Sequence, residues 1–76
     1  MATEQIAMGV ELLGFAQAAK DRGRSVFLVL KCHSAALDVK KAEVVGINLA
    51  RVELDVREEI IWFIALDQIA AVTVRD

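Results

Sequence analysis

The single cysteine and the single histidine of the chain are neighbours, at Cys32 and His33. A thiol beside an imidazole is the pairing from which a nucleophile and its general base are built. The residues leading up to Cys32 are β-branched and apolar and predict a strand, and neighbouring side chains of a strand point to opposite faces. Only a turn at this point would bring the two groups together. We therefore expect no catalysis here, with Cys32 buried and His33 on the surface or in a loop.

Other reactive constellations are equally weak. One cysteine and one histidine do not supply a zinc site, and the sequence has no phosphate-binding glycine loop. The carboxylate pairs Glu53/Asp55 and Glu58/Glu59 predict solvated charge, since acid–base chemistry would require one carboxyl in an apolar pocket. The expectation is a protein that is not an enzyme, with no catalytic residue, no metal, no cofactor and no small-molecule substrate.

Five of the nine basic residues form two groups, at the end of the predicted helix and in the second predicted strand. Acids are interleaved with both, which favours solvated faces, but self-association would repeat each group and make weak phosphate contacts multivalent. The groups are Lys20, Arg22 and Arg24, and Lys40 and Lys41. The aromatic residues Phe27, Trp62 and Phe63 lie in apolar strands and are predicted to be core or interface residues.

The composition indicates self-association. Of 76 residues 57% are apolar, and the net charge is -2. A chain this short buries only about 60% of the surface that its unfolded form exposes. Many of its apolar side chains must therefore be buried by something other than its own core. Disorder is excluded by the hydrophobicity. A membrane span is excluded because the longest apolar run, residues 60–66, is far below the length required. The N-terminal residues do not resemble a secretory signal, which predicts a cytoplasmic protein.

The spacing of apolar residues predicts a helix over residues 3–21, with Thr3 as its N-cap and Gly23 as its C-cap. Two apolar stripes lie on opposite sides of this helix. Either the whole helix is deeply buried, or one stripe packs on the domain and the other on a neighbour, which is the arrangement that so small a domain favours. The first stripe is Ile6, Val10 and Leu13, and the second is Met8, Leu12, Phe15 and Ala19.

After Gly23 the apolar period changes from 3.6 to 2, which predicts strands at about 25–32, 35–47, 50–57, 59–66 and 69–75. The third strand alternates most clearly, with Ala50, Val52, Leu54 and Val56 facing inward. The second is long and bent, and the fourth is apolar on both faces. We expect one mainly β domain over residues 1–76, with an N-terminal helix followed by a five-stranded, strongly bent antiparallel barrel.

This order of elements resembles the Sm/LSm family, including its bacterial branch, Hfq. Residues 42–48 fit loosely the small-x-apolar-x-x-apolar-Asp signature of the family, with Ala42 at the glycine and Asn48 at the aspartate. An apolar-x-Leu-x-x-Ile-x-x-Val pattern of bacterial members is similar to Ile64, Leu66, Ile69 and Val72. Where the family carries Arg-Gly or Lys-His, this chain has Asp67 and Gln68, a departure that removes a base from the RNA-binding loop.

The resemblance implies a homo-oligomeric ring, commonly of five to seven subunits, joined by pairing of the fourth strand with a neighbour's fifth. It implies single-stranded RNA as a partner, with Asn48 and Gln68 as contacts, Asp67 as the departure, and Lys40, Lys41 and Arg51 as weaker candidates for phosphate. The subunit interface would include Ile60, Trp62, Ile64, Val72 and Val74.

Two alternatives stay open beside RNA binding. One is a structural or protein-interaction module that forms the ring without RNA chemistry. The other is an α+β arrangement in which the helix crosses an open sheet and the protein is a dimer.

Overall fold

The computed structural model describes residues 2–75, and helix α1 occupies Ala2–Asp21. Thr3 therefore lies inside the helix and not at its cap. The helix ends at Asp21, and Gly23 caps it as predicted, with a φ of 79°. The N–H of Arg24 donates to the carbonyl of Ala19 over 3.1 Å, and the N–H of Gly23 donates to that of Lys20 over 2.9 Å. These two bonds are a Schellman cap, which requires a left-handed residue of the kind that glycine supplies.

Five strands follow: β1 (Ser25–Leu30), β2 (Leu37–Gly46), β3 (Leu49–Leu54), β4 (Ile61–Ile64) and β5 (Ile69–Arg75). All of them pair antiparallel in one sheet, in the order β4-β3-β2-β1-β5. The predicted helix and five-stranded antiparallel sheet are thus confirmed. The sheet is not closed into a barrel, because β4 and β5 are its two edges and no pairing joins them within residues 2–75.

Strand β2 serves two partners. Its first half pairs with β1, through Leu37 and Val39, and its second half pairs with β3 as far as Gly46. The register with β3 shifts twice, once after Val39 and once after Val44. Such bulges bend a strand and increase its twist, which lets one long strand turn from one neighbour to the other.

The core lies between the inner face of the sheet and the helix, and it contains only apolar side chains among the described residues. Its largest fully buried members are Val26, Leu28, Val39, Val52 and Leu66. The helix is also tied to the sheet by a polar contact, because the backbone N–H of Ala42 donates to Gln17 Oε1 over 2.9 Å.

Helix α1 buries parts of both predicted stripes. Leu13 and Ala16 are buried, and Ile6, Leu12 and Ala19 pack beside them. Val10 is exposed, against the prediction for its stripe, and Met8 and Phe15 are exposed as well. These residues are exposed because the helix contacts the rest of the domain along a line between the two stripes. Gly9, which lies against the backbone of Leu66, sets the position of that line.

Strand ends differ from the predictions in three places. Strand β1 ends at Leu30, so Cys32 lies in a turn and is exposed, and the prediction that it is buried was wrong. Val56 follows the end of β3 and is exposed, not inward-facing. Strand β4 is only four residues long, because the chain turns away after Ile64 into a 3-10 turn, Leu66–Gln68, and buries Leu66 against the helix.

Within residues 2–75, no helix has both the length and the apolar character needed to cross a membrane.

Candidate functional site

The loop between β2 and β3 is joined to the 3-10 turn by one hydrogen bond. The backbone N–H of Asp67 donates to Asn48 Oδ1 over 3.1 Å. Two of the residues predicted to contact RNA are therefore in direct contact, although they are far apart in the sequence. The side-chain amide of Asn48 holds the second loop in position.

Gln68 connects the same turn to the end of β1. Its backbone carbonyl accepts a hydrogen bond from the N–H of Lys31 over 2.8 Å, and its Oε1 accepts one from the Cys32 thiol over 3.7 Å. Three chain segments thus meet at one polar end of the sheet. We call Asn48, Asp67, Gln68 and Cys32 the amide cluster.

The amide cluster has unused donors. Asn48 and Gln68 each accept through their side-chain oxygen, and neither Asn48 Nδ2 nor Gln68 Nε2 has a hydrogen-bond partner within residues 2–75. Side-chain amides with free N–H groups can donate to the edges of unpaired bases. The carboxylate of Asp67 brings a negative charge to the same place, which opposes phosphate.

Cys32 and His33 do not form the nucleophile pair considered from the sequence. His33 Nδ1 lies 3.1 Å from the carbonyl oxygen and 3.3 Å from the backbone nitrogen of Ala35. Its ring meets Trp62 edge to face, with centroids 5.6 Å apart. Cys32 contacts Gln68 instead. The β1–β2 loop therefore reaches across to β4, and its imidazole packs against the half-buried indole.

Arg51 lies in a separate, charged group on the solvent-facing side of β2 and β3. Its Nη1 is 2.8 Å from Glu53 Oε1 and 3.7 Å from Glu43 Oε1. The hydrogen bond from Arg51 has the largest effect and lowers the pKa of Glu53. Desolvation opposes this decrease, and the charges of Arg51, Lys41 and Lys40 add smaller decreases in the pKa. The three predicted phosphate contacts thus surround a carboxylate, and no described hydrogen bond or ion pair joins them to the amide cluster.

The residues predicted for the subunit interface occupy both edges of the sheet. Ile60 and Val74 are exposed, and Trp62 and Val72 are half-buried. Ile64 is only 5% exposed and packs in the core of its own chain. Phe63, beside Trp62 on β4, is 63% exposed. The alternation of β4 puts Phe63 on the outer face, and the apolar run around it concealed this from sequence reasoning.

Two grooves accompany these edges. At the start of β4 a groove of about 360 Å³ is lined by Ile60 and the charged residues before it, Arg57, Glu58 and Glu59. Between α1 and β5 a groove of about 450 Å³ is lined by Phe15, Ala18, Ala19, Arg22, Arg24 and Val74. No group of three or more potential metal ligands occurs in the part of the chain that the structure describes.

Comparison of the chain with protein families, with curated proteins and with solved structures found no match.

Proposed function

We propose that this chain is the subunit of an Sm-like homo-oligomeric ring that binds single-stranded RNA at the amide cluster. The observation that carries the proposal is the sheet order, which leaves β4 and β5 as the two edges. These are the two strands that the resemblance to the Sm family would join between subunits. The helix-first order of elements and the long bent β2 are further support.

Both edges have the features of strands that pair with another chain. Natural proteins protect exposed sheet edges with proline, inward-pointing charge or a covering element, and the chain has no proline. Exposed apolar side chains lie on both edges, Phe63 on β4 and Val74 on β5. Because the edges differ, pairing of β4 with β5 is heterologous, and a heterologous contact that closes gives a ring.

A ring would repeat the amide cluster once per subunit around its axis. Each copy offers the free N–H groups of Asn48 and Gln68, which suit the hydrogen-bonding edges of unstacked bases. A single such contact is weak, but several on one strand of RNA act together. The proposed ligand is therefore single-stranded RNA, held through its bases more than through its phosphates.

A ring that binds protein and not RNA is the second candidate. It is favoured by the charges, since Asp67 lies in the amide cluster and Arg51 is engaged by Glu43 and Glu53. Without a basic field at the site, the phosphate contribution that dominates most nucleic-acid binding is small.

Assembly is tested by light scattering coupled to size-exclusion chromatography. The expected molar mass is five to seven times that of one chain. A monomer would overturn the whole proposal, and a mass of two chains would favour the dimer considered from the sequence.

RNA binding is tested by fluorescence anisotropy with oligo-U and oligo-A at low and moderate salt. Gln68→Ala should weaken binding by about tenfold or more. Gln5→Ala, the same change on the exposed side of α1, serves as the control. An assembled oligomer that binds neither RNA at low salt would overturn RNA binding and leave the second candidate.

A further inference from the structure

The acidic residues that precede β4 lie at the exposed start of that edge. Glu58 and Glu59 are both exposed and stand directly before Ile60. Neither carboxylate has an ion pair with any residue in the range 2–75. In their own chain these charges serve no contact that the structure shows.

The opposite edge of the sheet has a corner of arginines. Arg75, at the end of β5, is paired with Ser25, which directly follows Arg24 and the end of the helix. Arg22 lies in the same helix-terminal turn, exposed and without an ion pair to a described residue. Three arginine residues are thus brought to the end of the sheet where β5 ends, and we call Arg22, Arg24 and Arg75 the arginine corner.

An apolar groove lies next to the arginine corner. Phe15 and Val74 form its exposed apolar lining, with exposed fractions of 67% and 40%. Ala18 and Ala19 are small enough to leave the groove open, and Arg22 and Arg24 line its other part. The groove therefore offers an apolar floor with positive charge at one end.

The direction of the strands decides what would meet this groove when β4 of a second copy pairs with β5. In an antiparallel pair the incoming strand begins where β5 ends, at the arginine corner. Strand β4 begins at Ile61, so Ile60, Glu59 and Glu58 of that copy arrive there first. A parallel pair would instead put these acids beside Ile69, next to the carboxylate of Asp67, where they would be repelled.

We propose that the groove between α1 and β5 is the socket for residues 58–60 of a second copy of this chain. Ile60 of that copy covers Phe15 and Val74, and its two acids face Arg22 and Arg75. This inference rests on the edge-to-edge assembly proposed above. The socket favours the pairing of β4 of one copy with β5 of another. Only this pairing places acidic side chains beside arginines and apolar side chains beside apolar ones.

Charge reversal tests the socket. The double variant Arg22→Glu/Arg75→Glu places acids opposite acids, and the double variant Glu58→Lys/Glu59→Lys places bases opposite arginines. Each variant alone should raise the dissociation constant of the assembly at least tenfold, measured by sedimentation over a dilution series at low salt. An equimolar mixture of the two should form mixed oligomers, because each joint between unlike variants places acids opposite bases. Lys31→Glu, the same reversal at an exposed site beside the amide cluster, is the control.

The apolar part is tested by Phe15→Ser against Met8→Ser. Both side chains are exposed on α1, so neither change should unfold the chain, but only Phe15 lines the groove. Phe15→Ser should weaken assembly and Met8→Ser should not.

The outcomes separate the two proposals. If the unaltered chain assembles and neither the charge reversals nor Phe15→Ser weaken it, the socket is wrong and the edge pairing stands. If neither charge-reversal variant assembles alone and their mixture does not assemble either, the pairing of the acids with the arginine corner is wrong. If the unaltered chain is a monomer, both proposals are wrong.

Discussion

Gly9 of the helix lies in contact with the backbone carbonyl of Leu66, closely enough that a Cβ at this position would collide with the carbonyl oxygen and stand 2.8 Å from the carbonyl carbon. The contact brings α1 down onto the 3-10 turn and leaves Leu66 fully buried. A side chain of any size at residue 9 would hold the helix away from the turn.

Gly9→Ala is expected to destabilise the protein by about 1–2 kcal/mol, since overpacking against a rigid backbone exceeds the gain in helix propensity. Gly14→Ala on the same helix is the matched control. A Cβ at residue 14 has nothing within 4 Å, so this change should stabilise the protein by about 0.5–1 kcal/mol. Denaturant unfolding followed by circular dichroism measures both. Equal effects of the same sign would contradict the close contact at Gly9.

Asn48 is expected to act in two separable ways, through its oxygen in folding and through its amide N–H groups in binding. Asn48→Ala removes the acceptor for the N–H of Asp67 and should cost about 1 kcal/mol of unfolding free energy. Asn48→Asp keeps an acceptor at this position but loses both donors. This variant should therefore be more stable than Asn48→Ala, and it should bind RNA no more tightly than Asn48→Ala does. Unfolding and anisotropy measured on the same samples distinguish the two roles. Full RNA binding by Asn48→Asp would exclude the amide as a donor.

The hydrogen bond from Arg51 holds the pKa of Glu53 below the ordinary value of 4.5. The stability that this interaction of Glu53 contributes is therefore fully present above pH 4.5. That stability is lost as the pH falls from 4.5 through the lower pKa that Glu53 has in the folded state. Arg51→Gln should raise the pKa of Glu53 towards 4.5, as read from an NMR titration of its carboxyl carbon. Arg57→Gln is the control and should leave the pKa of Glu53 unchanged. If Arg51→Gln also leaves this pKa unchanged, the lysines and not Arg51 cause the shift.

The exposed thiol of Cys32 should react with alkylating reagents in the native protein, without prior unfolding. Because Cys32 contacts Gln68, a bulky adduct should reduce RNA binding and leave the mass of the assembly unchanged. Cys32→Ser treated with the same reagent is the control. Protection of the thiol until the protein unfolds would show that the β1–β2 turn is covered.

Local signals in the sequence were sufficient for much of the fold. The 3.6-residue period and Gly23 predicted α1, and the strict alternation around Val52 predicted β3. The end of β4 was not predictable in this way, because the apolar run continues to Leu66 and only the contact with Gly9 turns that residue out of the strand. The exposure of Cys32 was missed for a related reason. Strand β1 stops at Leu30, opposite the first residue of β5, and that pairing is not encoded near Cys32.

Sequence reasoning grouped Asn48 with Gln68 but did not predict the contacts that these residues make. The family resemblance put Asn48 and Gln68 in one site, and the structure puts both in the amide cluster. The hydrogen bond from Asp67 to Asn48 depends on how two distant loops approach each other. Lys40, Lys41 and Arg51 were grouped with the site by charge alone, and strand pairing put them beside Glu43 and Glu53.

The order in which the ribosome makes these elements has a consequence for folding. Both α1 and β1 pack on the final segment, the helix against the 3-10 turn and β5, and β1 against β5 along its whole length. Contacts between the two ends of a chain form late, since the intervening chain must be ordered first. Helix α1 and strand β1 can pack on β2 once it is made, but a nascent chain that stops short of Ile69 leaves one edge of β1 unpaired and part of the helix uncovered.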